Sequence, residues 1–266
     1  MKRESGHLER DGERIYFERI GAGPPLVLTH GAGGNHAVWF EQVPHFAKTR
    51  SVVLWDQRGF GRTTARGGPN TPQRAAGDLA ALLDQLGIAR ADLVGQSMGG
   101  WAVLGLALEQ PSRVRSLVLA DTPGGIDTPE LRACWANVGK GGGFATQELG
   151  RHPAVAPDFF DREPARATLY QQLGGFGEPK LADVLPSLVA TRHDAATLAK
   201  LDCPVLLIVG AVDSLFSPEV IHASAKQLPP QCRARVTTIA CAGHSPYFEE
   251  PAAWNRAVDE FLAPLA

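Results

Sequence analysis

The sequence predicts an α/β protein with a mostly parallel, twisted sheet flanked by helices and interrupted by an inserted helical segment. Three observations predict it. Short apolar runs of strand length recur along the 266 residues, as strands buried on both faces require. Amphipathic stretches with helical spacing lie between them. The alternation stops once, between about residues 122 and 200, where glycine-rich breaks separate short, weakly amphipathic segments.

Taken in order, polar and apolar residues alternate from Leu8 to Ile20 around Asp11-Gly12, a strong signal for a two-residue hairpin turn, so the chain opens with an antiparallel pair. The runs Leu26 to Thr29, Val52 to Trp55, Asp92 to Val94, Val114 to Leu119, Pro204 to Val209 and Arg235 to Ile239 read as parallel strands. Helices are expected over Val38 to Lys48, over Thr71 to Leu86 with Gly87 as a stop, and from Ser97 to just before Pro111. Two more, Pro218 to Leu228 and Pro251 to Leu262, each start with the proline that suits a first helical turn. Residues 122–200 are too many for a plain loop and should carry their own helices. The expected division is a core of residues 1–121 and 201–266 with a helical cap insertion at 122–200.

A formal net charge of −2 argues against a nucleic-acid partner, because a phosphate-binding surface needs a surplus of Lys and Arg. The charged opening segment is no secretory signal and no run is long enough to span a bilayer, so no membrane partner is expected and a cytoplasmic location is. The expected partner is a small-molecule substrate. Cys134, Cys203, Cys232 and Cys241 are scattered without a CxxC pair, so neither zinc nor disulfides are suggested, and no metal or cofactor is expected. His193-Asp194 is placed on a solvated helix.

Gly95-Gln96-Ser97-Met98-Gly99 follows an apolar strand and opens a helix, the context in which a serine is held on a sharp, strained turn between small residues. His30-Gly31-Ala32-Gly33-Gly34 leaves the first parallel strand as a tight loop whose amides can point inward. Ala32 and Met98 are the candidate donors of an oxyanion hole. No Gly-Lys-Ser/Thr follows, which removes a phosphate loop.

A serine hydroxyl needs an adjacent base. Of eight histidines, His244 in Gly243-His244-Ser245-Pro246 lies in a loop between the last strand and the last helix, within reach of the carboxyl ends of the strands. His7, His45, His152, His193 and His222 lie in charged or helical surroundings. His30 is read as a brace for the glycine loop, and His36 as a pocket residue. The base needs a carboxylate to orient it. Asp213, just beyond the strand Pro204 to Val209, is preferred by position; Asp121, ending the strand Val114 to Leu119, competes. Asp56 is read as structural, paired with Arg58 or with backbone. Trp39, Trp101 and Phe144 are candidate apolar pocket residues.

Together, His30-Gly31, Asp56-Gln57-Arg58-Gly59-Phe60-Gly61, the Gly95-to-Gly100 turn, the Asp213 loop and Gly243-His244 resemble the α/β-hydrolase superfamily over nearly the whole chain outside the insertion. The resemblance implies the α/β-hydrolase fold, with the insertion as a cap over the site. It also implies the order Ser97, Asp213, His244 for a catalytic triad. The Asp-x-Arg-Gly-x-Gly stretch is similar to that of enol-lactone hydrolases and small carboxylesterases, and the Ser-Met-Gly-Gly turn to that of carbon–carbon hydrolases of ring-cleavage products. Three readings follow: ester or lactone hydrolysis; carbon–carbon hydrolysis, with Arg132, Arg166 or Arg192 gripping a second carboxylate; and a slow-turnover receptor or a cofactor-free oxygenase on the same fold.

Overall fold

The computed structural model describes residues 1–137, 148–176 and 181–265. Its strands are β1 (Arg3–Arg10), β2 (Glu13–Ile20), β3 (Pro25–Thr29), β4 (Ser51–Trp55), β5 (Ala91–Gln96), β6 (Val114–Ala120), β7 (Val205–Gly210) and β8 (Arg235–Ile239). They form one sheet in the order β1-β2-β4-β3-β5-β6-β7-β8. Strand β2 pairs antiparallel with β1 and β4, and every other pairing is parallel. The hairpin turn uses Asp11 at φ 48° and Gly12 at φ 74°, the left-handed pair a primed turn requires.

The parallel strands read as unbroken apolar runs because both faces of the sheet are covered. Val27, Val53, Leu93 and Leu117 pack into one core with the helices Pro72–Gln85 and Gly99–Glu109. Their neighbours Leu26, Val52, Val94 and Val118 pack into a second core with Trp39, Phe46 and Trp254 of the helix Pro251–Leu262. Alternate side chains therefore serve opposite layers.

One expected helix is broken. Val38 to Lys48 is a 3-10 turn at His36–Trp39, capped by the Asn35 side chain, followed by a separate short helix at Val43–Phe46. Pro44 has no N–H to give and its ring would strike the carbonyl four residues back, so a helix can begin there but not run through.

Between β6 and β7 the described residues form the helices Pro129–Asn137, Phe159–Arg162, Pro164–Leu173, Leu181–Ala190 and Ala195–Leu198. His193 is not on a helix: it bridges to Ile126, and Asp194 caps Ala195–Leu198 by accepting from the Thr197 N–H at 2.8 Å. All four cysteines are free thiols. Among the described residues no helix is long and apolar enough to cross a membrane.

Candidate active site

Because β3, β5, β6, β7 and β8 are parallel, their carboxyl ends share one edge of the sheet, and the loops leaving them meet there. Ser97 follows β5 directly and adopts φ 49°, a conformation that costs a non-glycine residue strain. The turn closes only because its flanks lack side chains. A Cβ on Gly95 would lie 2.5 Å from the Gly99 carbonyl oxygen, and one on Gly99 would lie 2.5 Å from the Thr29 carbonyl oxygen.

His244 sits between two partners. Its Nδ1 is 2.9 Å from Asp213 Oδ2, and its Nε2 is 2.8 Å from Ser97 Oγ. The second Asp213 oxygen accepts from the Leu215 and Phe216 amides at 2.8 and 3.1 Å, which fixes the carboxylate in a buried position. A carboxylate can only accept, so Nδ1 carries the proton; the neutral ring then presents a lone pair at Nε2, and the Ser97 hydroxyl donates to it.

Asp121, the competing acid, does not reach His244 by any hydrogen bond among the described residues. Its Oδ1 accepts from the Gly210 N–H at 2.9 Å, and its Oδ2 is buried without a partner. Burial, and then the nearby Asp213 charge, push its carboxyl well above the usual range. Asp121 is thus a buried acid whose ionisation is disfavoured beside Asp213.

The glycine loop is braced from beneath by the Asp56-Gln57-Arg58 segment. Buried His30 accepts from the Gln57 amide at Nε2 (3.0 Å), so its Nδ1 donates to the Gly31 carbonyl (2.8 Å), and burial lowers its pKa. Asp56 does not pair with Arg58. It accepts from the His36 amide and lies 2.9 Å from the His36 ring, while taking the Arg62 amide on its other oxygen. Arg58 instead forms a buried pair with Asp78, Nε donating at 2.7 Å. So held, the loop runs close to Ser97: a Cβ on Gly31, the residue before Ala32, would lie 2.9 Å from the Ser97 Cβ. Among the described residues neither the Ala32 nor the Met98 amide has an acceptor.

A cavity of about 270 Å³ lies against Ala32, Gly33, Gly34 and Gln96. His152, Tyr170, Gln171 and Gly174 close it from the segment between β6 and β7, and Val38 and Tyr247 from the core. The expected lining residues are elsewhere. His36 faces Asp56 and stacks edge-on against Tyr16. Trp39 is fully buried against Tyr247 and Trp254. Trp101 is core, packed against Trp135 and Phe216, and borders a void of about 10 Å³, too small for more than one water. Phe144 lies outside the described residues.

None of the three candidate cations borders the cavity. Arg132 pairs with Asp127, Arg192 is exposed, and Arg166 donates to the Phe248 carbonyl across the Phe159 and Phe248 rings.

Comparison with known proteins bears on the family and the fold. Residues 24–138 match the family model of the α/β hydrolase fold. RutD of Caulobacter vibrioides, a putative carbamate hydrolase, is 30% identical over 268 residues that span 96% of this chain and 94% of its own. The chain belongs to the α/β-hydrolase family. Among solved structures, this α/β hydrolase is similar to a thermophilic esterase from Thermogutta terrifontis, with a TM-score of 0.81 and 27% identity over 100% of this chain and 99% of that one. It is also similar to an enol-lactonase from Burkholderia xenovorans, with a TM-score of 0.78 and 25% identity over 95% and 97% of the two chains. The protein is a hydrolase of this fold.

Sequence reasoning missed several residues of the α/β hydrolase's site. Gln96 donates from Nε2 to the His244 carbonyl at 3.0 Å; its place inside the turn motif was the available signal. His152, expected in charged or helical surroundings, lines the cavity, and burial followed by the neighbouring His244 lowers its pKa to about 4. Tyr170 bonds Ser245 at 2.7 Å. Nothing in the spacing of either residue marked it.

Proposed function

We propose that this α/β hydrolase is a serine hydrolase that cleaves a small carboxylic ester or lactone through an acyl-enzyme on Ser97. The observation that carries the proposal is the unbroken chain Asp213–His244–Ser97, set beside a cavity bordered by Ala32 and with two amides free to receive an oxyanion. Ser97 Oγ attacks the substrate carbonyl as its proton passes to His244 Nε2. Asp213 keeps Nδ1 protonated and balances the imidazolium that forms. The Ala32 and Met98 amides hold the developing oxyanion. His244 then returns the proton to the departing alkoxide. In the second half, His244 takes a proton from water, the resulting nucleophile attacks the acyl carbon, and Ser97 leaves with the proton restored.

The likeness to an esterase and an enol-lactonase supports a carboxylic ester or lactone. The carbon–carbon reading needs a cation for a second carboxylate, and none of Arg132, Arg166 and Arg192 borders the cavity. Residues 122–200 act as the cap in this reading, supplying His152 and Tyr170 to the pocket of a small molecule. The test is a panel of short esters, lactones, an N-carbamoyl compound and a vinylogous diketone, with kcat/KM measured for wild type and Ser97→Ala. Turnover of ester or lactone that disappears with Ser97 is the expected outcome. Turnover confined to the carbamate or the diketone would contradict the substrate class.

A further inference from the structure

The loop carrying His244 is gripped by a residue that the proposed reaction does not use. Glu249 ends the short helix Pro246–Glu249 with its side chain turned inward, and the residue is only 2% exposed. Its Oε1 accepts from the Gly243 N–H at 2.9 Å and the Ser245 N–H at 3.2 Å, the two amides that flank His244. Its Oε2 accepts from the Ala156 N–H at 2.7 Å, in the segment between β6 and β7. The two backbones are in contact here: a Cβ on Gly243 would fall 2.6 Å from the Ala156 nitrogen and from the Val155 carbonyl carbon.

We propose that Glu249 is a positioning residue that ties the placement of His244 to the seating of residues 155–156 against the sheet edge. The proposal rests on the reading of His244 as the base of a serine hydrolase. One carboxylate joins the wall of the site to its base, so that the insertion docks and the imidazole is aimed by the same contact. Gln96 fixes the opposite side of the loop through the His244 carbonyl and Tyr170 reaches the Ser245 hydroxyl, while Glu249 is the link that runs through the two amides flanking His244.

Three amide donors on two oxygens suit an ionised carboxylate, because a neutral carboxyl must carry a proton on one oxygen, and that oxygen then faces an N–H donor. The groups around Glu249 come from several elements. Arg162, on the helix Phe159–Arg162 and paired with Glu250, favours the charge; Asp121 at the end of β6 interacts with it unfavourably when ionised; the Tyr170 and Tyr247 hydroxyls lie on the cavity side; His244 stands in the gripped loop itself. Burial outweighs the amide bonds and Arg162 and raises the carboxyl to about 7. The clasp is therefore complete above neutrality and incomplete below it.

The experiment is the second-order rate of fluorophosphonate labelling of Ser97 in wild type and Glu249→Gln, from about pH 5.5 to 9. Glutamine keeps the shape but permanently sets an NH₂ against one of the amide donors, as the protonated acid does. Wild type should label about tenfold faster at the alkaline end, the scale of a small misplacement of a catalytic group. The gap should close as the pH falls through 7 and wild type adopts the neutral form. A ratio that stays constant with pH, whatever its size, overturns the proposal. Should Glu249→Gln fail to fold, the wild-type amide resonances of Gly243, Ser245 and Ala156 are followed over the same range: a shared midpoint near 7 supports the clasp, and separate midpoints or none overturn it. A wild type that does not label at all strikes the serine-hydrolase reading instead, and the amide titration then decides the clasp on its own.

Discussion

The carboxyl edge of the sheet and the segment between β6 and β7 build the same site by different means. At the sheet edge, position is enforced by backbone: Ser97 at φ 49° between glycines whose Cβ atoms would collide with carbonyl oxygens, and Asp213 held by two amides. In the segment between β6 and β7, position is set by side-chain contacts with the core, such as Arg166 on the Phe248 carbonyl, Tyr170 on Ser245 and the Glu249 carboxylate on the Ala156 amide. The difference teaches that the chemistry of this α/β hydrolase is fixed by the frame, whereas its pocket is shaped by contacts that substitution can shift singly.

The sharpest way to break that contrast is at Ser97. Ser97→Ala should lower kcat by about a millionfold, as loss of a triad nucleophile does, while circular dichroism and melting temperature stay near wild type. Any substantial residual turnover places the chemistry elsewhere. The two acids of the frame come next. Asp213→Asn should cost about 10⁴-fold in kcat, because the amide forces the wrong imidazole tautomer. Asp121→Asn should leave kcat within about threefold, since Asp121 makes no hydrogen bond to His244 among the described residues, its ionisation is disfavoured, and Asn tolerates its φ of 50°. Equal losses in the two variants would erase the distinction drawn between them.

Gly99→Ala should destabilise the protein by about 3 kcal/mol, because the new methyl meets the Thr29 and His30 carbonyl oxygens at 2.5 and 2.7 Å and the elbow must deform. Denaturant unfolding measures it, and a neutral result would mean that the turn is not under steric constraint.

In the insertion the expected effects are smaller. His152 has a pKa lowered from 6.5 to about 4, so the unfolded chain binds more protons between those values. Stability should accordingly rise with pH across that window and fall again as the pH drops through it. His152→Gln should flatten the dependence of melting temperature on pH there, and an unchanged slope would refute the assignment. Last, Arg132→Ala removes a largely exposed pair with Asp127 and should change stability by less than about 0.5 kcal/mol and leave KM unaltered. A marked rise in KM would return Arg132 to the pocket.

The same contrast explains what was legible in the sequence. The strands are apolar runs because both their faces are buried, so Arg235–Ile239 and the helix Pro251–Leu262 were readable to the residue. The Ser97 turn and His244 stood out because a sharp turn demands particular small residues at particular spacings, and such demands leave a pattern. Contacts in the pocket make no such demand. Trp39 and Trp101 drew attention as large apolar residues near the motifs, yet size near a motif is what a core also requires, and both are core. His36 flanks the glycine loop in sequence, but Asp56, twenty positions on, claims its ring. Of the two partners read for Asp56, backbone holds, through the His36 and Arg62 amides, and Arg58 does not, because Asp78, on the helix Pro72–Gln85, meets the guanidinium only once that helix is laid across the sheet. Glu249 lies five residues beyond His244 and directly before a second glutamate, Glu250, so nothing in the sequence marked which of the two turns inward.

The central claim is that Ser97 is an activated nucleophile, and intact-protein mass after fluorophosphonate treatment tests it most directly, with peptide mapping and with Ser97→Ala and His244→Ala as controls. The account predicts a single adduct on Ser97 that both substitutions abolish. A folded protein that takes up no adduct, or takes one up on another residue, would contradict it.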